Sequence, residues 1–576
     1  MTDSVSNAAP LPATHHAIQI VGPDHTIHNR SKPLPRIGPQ QLLVKVEACG
    51  ICFSDTKLLH AFTSHPRKSE VLGGLSPDEL AEITSYVPGE LPTVPGHEVA
   101  CRIVAVGDQV RRHRIGERCL IQTDYRHLPT AAANAAFGYN FEGGLQEYVL
   151  LDERVIIEPG TGERFMIPVG EEPSASAVAL LEPWACVEAS YVYRERRGLL
   201  PAGRMAVVAD EGHEIAGLDA LVGASMPSAV SAVVATAGQR GVLDAMGIGA
   251  VFAAGIGDLP SLAFDDIVYF GADPDTVERL QESLAPRAML VLVTAGASFG
   301  RPVAVDIGRV HYDLTRWTGT TGQSAADAYA AVPEDGDLRP GDRVAVIGAA
   351  GPMGLMHVVR ALSGSRPASI AAIDVDDARL EHLAATTGRI ARGQGIDVAC
   401  INSRTMRVEP GFDYVALMVP APPLVGQSLA LAARGARINI FAGFGWGTRA
   451  DVDLDRYVEQ RCYLIGTSGS VIGDMKAVLG KLERGELDTN ISVDAVTGFA
   501  GVADALASVE GRTSRGKIVV YPTVPELGLV RLSEMAERFP AVAAALDDGR
   551  WTKAAEEALL READATPEDA AASRES

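Results

Sequence analysis

The chain has 576 residues, 47% hydrophobic and 22% charged, and a formal net charge of −22. That length predicts three or four domains. The acidic surplus excludes a general nucleic-acid or anionic-membrane surface, though not a local basic pocket for a phosphorylated substrate. No apolar run reaches the ~18–20 residues of a membrane span. The polar stretch from Met1 to His16 lacks the basic start and apolar core of a signal peptide. Seven cysteines over this length do not make a disulfide framework, so the expectation is a cytoplasmic, thiol-reduced enzyme.

In chain order, Gln41 to Glu47 alternates apolar and polar residues as a half-buried strand does, and strand-like pieces recur at Glu98 to Val106 and Gly144 to Leu151. The first region is predicted to be a β-rich, barrel-like unit. Three short segments in and just after it carry chemistry: Cys49-Gly50-Ile51-Cys52-Phe53-Ser54-Asp55, Gly96-His97-Glu98 and Leu181-Glu182-Pro183. Zinc takes sulfur, nitrogen and oxygen ligands, and a catalytic site leaves one position open. Cys49 lies on the alternate face of the strand end and is predicted to pack; Cys186, four residues past Glu182, is predicted to be buried, with an approach to the metal as the alternative.

From Arg204 short apolar runs alternate with helical stretches, the pattern of βαβ units on a parallel sheet. This region repeats. Val305-Asp306-Ile307-Gly308-Arg309 matches Val452-Asp453-Leu454-Asp455-Arg456, and Gly319-Thr320-Thr321-Gly322 matches Gly466-Thr467-Ser468-Gly469, both at a separation of 147 residues. A duplicated nucleotide-binding domain is predicted at roughly 203–338 and 340–495.

In the second copy, Gly348, Gly351 and Gly354 follow the apolar run Val344 to Ile347, and Pro352 and Met353 open helix-compatible sequence. Glycines here allow a tight turn and close approach of a pyrophosphate to a helix N-terminus. Asp374 ends the next strand, 20 residues after Gly354, where a carboxylate accepts from the adenosine ribose. Its charge repels a 2′-phosphate, so NAD(H) is expected over NADP(H). In the first copy the turn reads Asp210-Glu211-Gly212-His213-Glu214, and Ala235 stands opposite Asp374. That copy is read as a scaffold or oligomerisation module that binds no dinucleotide. After a closing strand at Lys517 to Tyr521, helical spacing appears at Leu532 to Leu546 and Trp551 to Leu560, and residues 561–576 are predicted to be disordered.

The cysteine, Gly-His-Glu and Glu-Pro segments ahead of a glycine fingerprint resemble the zinc-dependent medium-chain alcohol and polyol dehydrogenases. Cys52-Phe53-Ser54-Asp55-Thr56-Lys57, Phe137-Gly138-Tyr139-Asn140-Phe141-Glu142-Gly143-Gly144 and Ile373-Asp374-Val375-Asp376-Asp377-Ala378-Arg379-Leu380 are most similar to the sorbose-1-phosphate reductase-like and sorbitol dehydrogenase-like members. The resemblance covers roughly residues 15–200 and 340–560. It implies an α/β chain: a GroES-like β-barrel catalytic domain (1–200), a degenerate Rossmann-like duplicate (203–338), an NAD-binding Rossmann domain (340–495), and a return segment with a helical tail (496–560).

It further implies one catalytic zinc held by Cys52 and His97 with Glu98 and Glu182, leaving open which glutamate is the direct ligand. Ser54 would relay the proton and Asp55 support the ligands. Gly348, Gly351, Pro352, Met353, Gly354, Asp374 and Arg379 would hold the cofactor. No structural zinc is expected, because Arg111 to Gly144 contains only Cys119. The aromatic, polar stretch from Tyr125 to Asn140 is a candidate pocket wall or an exposed loop. The implied activity is reversible hydride transfer between a nicotinamide and a polyol, ketose or sugar phosphate, in a homodimer or homotetramer. Alternatives are a simple-alcohol or amino-alcohol dehydrogenase, or a nucleotide-binding scaffold without turnover. Lys57 is a candidate phosphate contact, with a solvated lysine as the alternative.

Overall fold

The computed structural model describes residues 11–564; of the tail expected to be disordered, 565–576 lies outside them, and 561–564 forms the end of a helix, Lys553–Asp564. The chain divides into two compact units, one of residues up to Ala185 with those from Gly469 onward, the other Cys186–Ser468. The sequence placed these divisions near 200 and 495. They fall earlier because Leu181–Val192 is one helix that crosses the first division, and because residues from Gly469, including helix Ile472–Glu483, group with the first unit.

The first unit is built on strand Gln41–Ile51, whose apolar residues are buried. It pairs antiparallel with Glu98–Val106, Lys517–Val520 and Tyr148–Asp152. The resulting eight-stranded sheet runs from Val530–Arg531 through Val493–Thr497, Lys517–Val520, Gln41–Ile51, Glu98–Val106 and Arg118–Ile121 to Met166–Pro168. Its hydrogen-bonded path is open at both ends. Register decides what meets at one end of the central strand: Gly50 lies opposite Glu98, and Ile51 opposite Ile518. Helix Phe53–Ala61 starts immediately after, with Cys52 at its N-cap. The tail predicted as two long helical stretches is broken at Pro540 into Met535–Arg538 and Pro540–Ala544 before the last helix, as a proline that ends one helix and opens the next requires.

The second unit holds two six-stranded sheets, each parallel throughout. Counting strands from Arg204–Ala209 in one and from Arg343–Ile347 in the other, both run 3-2-1-4-5-6, the order of a doubly wound dinucleotide-binding sheet. Near-continuous apolar runs such as Met289–Val293 and Phe412–Leu417 suit strands covered on both faces. A separate two-stranded antiparallel ladder joins Val303–Asp306 to Arg449–Val452. No helix among the described residues is long and apolar enough to cross a membrane.

Candidate active site

In the first unit one group of metal-ligating side chains converges among the described residues. Ligand atoms of Cys52, His97 and Glu98 all lie within 4.8 Å of one another. Glu98 is fully buried, and its Oε2 has no hydrogen-bond partner. A Cβ added at Gly50 would stand 2.0 Å from that oxygen, so the glycine opens the space the carboxylate fills. A buried carboxylate oxygen without a partner costs several kcal/mol in general. A thiol, an imidazole and a carboxylate around it form a donor set suited to zinc. The residues therefore fit the metal.

Asp55 supports this cluster from behind. Its carboxylate accepts from the backbone N–H of Cys52 at 2.9 Å and of Gly96 at 3.2 Å, and lies 3.2 Å from His97 Nδ1. Burial alone would raise its pKa, but the His97 charge and these donors hold it below the ordinary carboxylate value. Burial likewise opposes charge on His97, yet Asp55 keeps its imidazolium well above the usual range. With Nδ1 turned to Asp55, Nε2 is the nitrogen left to face a metal. Ser54 Oγ lies 3.1 Å from that Nε2.

Glu182 is buried but is not one of the three converging ligands. Burial pushes its carboxyl up to about 7; Glu98 and Asp124 add to this, while His97 and Lys517 oppose it. Cys49 is buried, as expected, with its thiol pushed up by burial. Cys186 is half-buried and lies in the other unit, so the expected burial is only partial. Lys57 is exposed, its Nζ 5.7 Å from the Phe53 ring centroid.

Two residues, Lys517 and Arg67, escaped the sequence reading. Lys517 opens an otherwise apolar strand and is buried; its ammonium donates to Ile51 O at 2.8 Å and to Glu98 Oε1. Burial alone would lower its pKa, but Glu98 and Cys52 hold it raised. A lysine inside a Lys-Ile-Val-Val strand was the available signal. Arg67 lies over the Tyr139 ring at 5.5 Å and 2.7 Å from Asp124. Tyr139, within the aromatic stretch noted above, stands 5.7 Å ring to ring from His97. It is buried, so this part of the stretch is not an exposed loop.

In the second unit, strand Arg343–Ile347 leads into the glycine turn. Gly348 has φ +81°, and a Cβ on Gly354 would lie 2.2 Å from Gly348 O. Gly351 caps helix Pro352–Gly364, with proline in its first turn and Met353 following. Asp374 ends strand Ser369–Asp374; its carboxylate accepts from Ala350 N at 3.1 Å and Val375 N at 2.8 Å. Arg379 reaches back to Ala350 O at 3.2 Å, its guanidinium 3.0 Å from the space above Gly351. These residues fit a dinucleotide: a glycine turn at a helix N-terminus, a cation over the turn and a carboxylate at the strand end.

The turn after Arg204–Ala209 differs. The next helix, Leu218–Ala224, starts only at Leu218. The Gln239 amide donates to Asp210 O at 2.8 Å and His213 O at 2.7 Å, and Tyr269 donates to the Asp210 carboxylate. Register puts Ala235 next after the pair Ala209–Val234, as Asp374 follows Ile347–Ile373.

Comparison with known proteins finds similarity over parts of the chain. The alcohol dehydrogenase GroES-like domain model matches residues 38–159. The uncharacterized protein YggP of Escherichia coli (strain K12) is 28% identical over 355 residues, 55% of this chain and 76% of that one. Mannitol-1-phosphate 5-dehydrogenase of Aliivibrio fischeri is 23% identical over 288 residues, 46% of this chain and 65% of that protein. L-sorbose 1-phosphate reductase of Klebsiella pneumoniae is 24% identical over 235 residues, 39% and 57% respectively. The matches to these last two span less than two thirds of their lengths. The matched domain contains Cys52, His97 and Glu98, and over it the chain is similar to alcohol dehydrogenases.

Proposed function

We propose that this protein is a cytoplasmic zinc- and NAD(H)-dependent oxidoreductase that interconverts a secondary alcohol and a ketone on a polyol, sugar or sugar phosphate. The observation that carries this is the convergence of half-buried Cys52 with buried His97 and Glu98, one Glu98 oxygen being left without a partner. The relatives named for mannitol 1-phosphate and sorbose 1-phosphate support the substrate class.

Cys52, His97 and Glu98 would hold one zinc, and no structural zinc is assigned. When bound, zinc makes a coordinated hydroxyl more acidic, and the nicotinamide accepts the hydride. The chain's own residues do the rest. Asp55 fixes the His97 ring. Lys517 offsets the negative charge of Glu98 and Cys52. Ser54 receives the substrate hydroxyl proton and passes it outward. Glu182, with its carboxyl near 7, takes up or gives up a proton beside the site at neutral pH. Arg67 and Tyr139 meet the polar part of the substrate. Gly348, Gly351 and Gly354 admit the pyrophosphate next to Arg379, and Asp374 accepts from the ribose hydroxyls while disfavouring a 2′-phosphate. The sheet beginning at Arg204 is a degenerate copy that binds no dinucleotide, since Gln239, Tyr269 and three acidic side chains occupy or repel at its turn.

Metal analysis combined with nicotinamide absorbance over a panel of polyols, sugar phosphates and simple alcohols tests the reading. About one zinc per chain and turnover of a polyol or its phosphate are expected. Full activity in a metal-free Cys52→Ala protein would refute it.

A further inference from the structure

The two parallel sheets of the second unit contact each other through equivalent residues, reciprocally. The ladder between Val303–Asp306 and Arg449–Val452 pairs the same strand of each half, antiparallel. With the 147-residue separation, residue 308 corresponds to 455, 298 to 445 and 299 to 446. A Cβ on Gly308 would meet Gly445 O at 2.3 Å and Trp446 Cα at 3.2 Å. In the mirrored position, Asp455 accepts from Ser298 Oγ at 2.6 Å and Phe299 N at 2.8 Å. The same holds further on. The space above Gly319 is filled by Val458, and that above its counterpart Gly466 by Val310 and His311, His311 being the counterpart of Val458. Val303, Val305 and Trp317 share one buried core with Val452, Leu454 and Tyr457.

Reciprocal contact, in which residue i of one half touches j of the other and j touches i, is the signature of an isologous two-fold interface. Such an interface normally joins two separate chains; here one chain supplies both sides. We propose that the half beginning at Arg204 is a built-in partner subunit. It covers the edge of the dinucleotide-binding half in place of a second copy of the chain. This accounts for a sheet that keeps its apolar strands while its turn is closed by Gln239 and Tyr269: what it contributes is the interface. These contacts involve neither the substrate nor zinc.

Cysteine cross-linking of the full-length protein tests it at the Ala304–Asp451 register pair. In Ala304→Cys/Asp451→Cys, mild oxidation should produce a disulfide within one chain, running at single-chain mass and mapped by peptide mass spectrometry, with the single-cysteine variants as controls. A 304–451 link between two chains, or none in a protein whose circular dichroism is native, would overturn the proposal. A second variant tests the role. Gly319→Val alters only the half that binds nothing, yet it should weaken NADH binding tenfold or more and lower the melting temperature, as Gly466→Val does. Unchanged NADH affinity and melting in Gly319→Val would overturn the partner role even if the link forms.

Discussion

At the scale of single residues, Lys517 and Asp374 make the sharpest claims. Lys517 is the cation beside a buried carboxylate and a thiol. Removing one partner of a buried ion pair costs about 3–5 kcal/mol, because the other charge stays uncompensated. Lys517→Met is therefore expected to lower both melting temperature and zinc content, whereas an exposed control, Lys57→Met, changes neither; equal metal content in all three proteins would contradict this role. Asp374 acts in the other unit. Asp374→Ala removes a ribose acceptor and a charge that repels a 2′-phosphate, so the ratio of kcat/KM for NAD over NADP should fall toward one. A wild-type enzyme that already favours NADP(H) would show the assignment to be wrong.

At the scale of elements, two glycines separate the two halves of the chemistry. Gly50 sits in strand Gln41–Ile51 opposite Glu98, with no room for a Cβ beside Oε2. Gly50→Ala should displace the Glu98 carboxylate, abolishing zinc retention and activity while NADH still binds. Gly354 lies in helix Pro352–Gly364 against Gly348 O and Ala349. Gly354→Ala forces backbone against backbone, so NADH binding should be lost while zinc is retained. Calorimetric titration with NADH and metal analysis on both variants read the two effects separately; loss of both properties in either variant would argue against the division of labour. The glycine pattern after Ile347 was legible in sequence because it is local. The requirement at Gly50 was not, since it arises from a cross-strand neighbour 48 positions away.

At the scale of the whole molecule, buried histidines make stability depend on pH. Burial lowers His15 and His65 to about 4 and His357 to about 3. Each stays neutral in the folded chain, while in the unfolded chain it takes up a proton near 6.5. Their stabilising contribution is thus complete above about 6.5 and is lost as pH falls toward the folded values. Glu182 works in the opposite direction, its raised carboxyl favouring the folded chain as pH drops below about 7, and burial raises the Asp266, Asp306 and Asp488 carboxyls too, while it lowers His28, His113 and His127 alongside His15, His65 and His357. His357, fully buried and hydrogen-bonded to Tyr191, should alone account for about 2 kcal/mol between pH 6.5 and 5. The melting temperature should fall over that interval, and His357→Gln should show a smaller fall; an unchanged slope would remove the histidine as its cause.

Local pattern was enough to read many of the elements and to nominate candidate ligands. Alternation marked Gln41–Ile51 and Glu98–Val106, the glycine turn and Asp374 marked the site proposed for a dinucleotide, and an offset of 147 residues marked two halves with one strand order. Each of these depends on residues close in sequence or on a repeated spacing. Tertiary structure decided the rest, because it depends on register between distant strands. It placed Lys517 against Glu98, left Glu182 outside the three converging ligands, moved the unit boundaries to 185 and 468, and brought equivalent strands of the two halves into one antiparallel ladder. Burial and pairing across hundreds of residues leave no local periodicity, so a lysine in an apolar strand and a glycine beside a carboxylate acquire their meaning only when the strands are aligned.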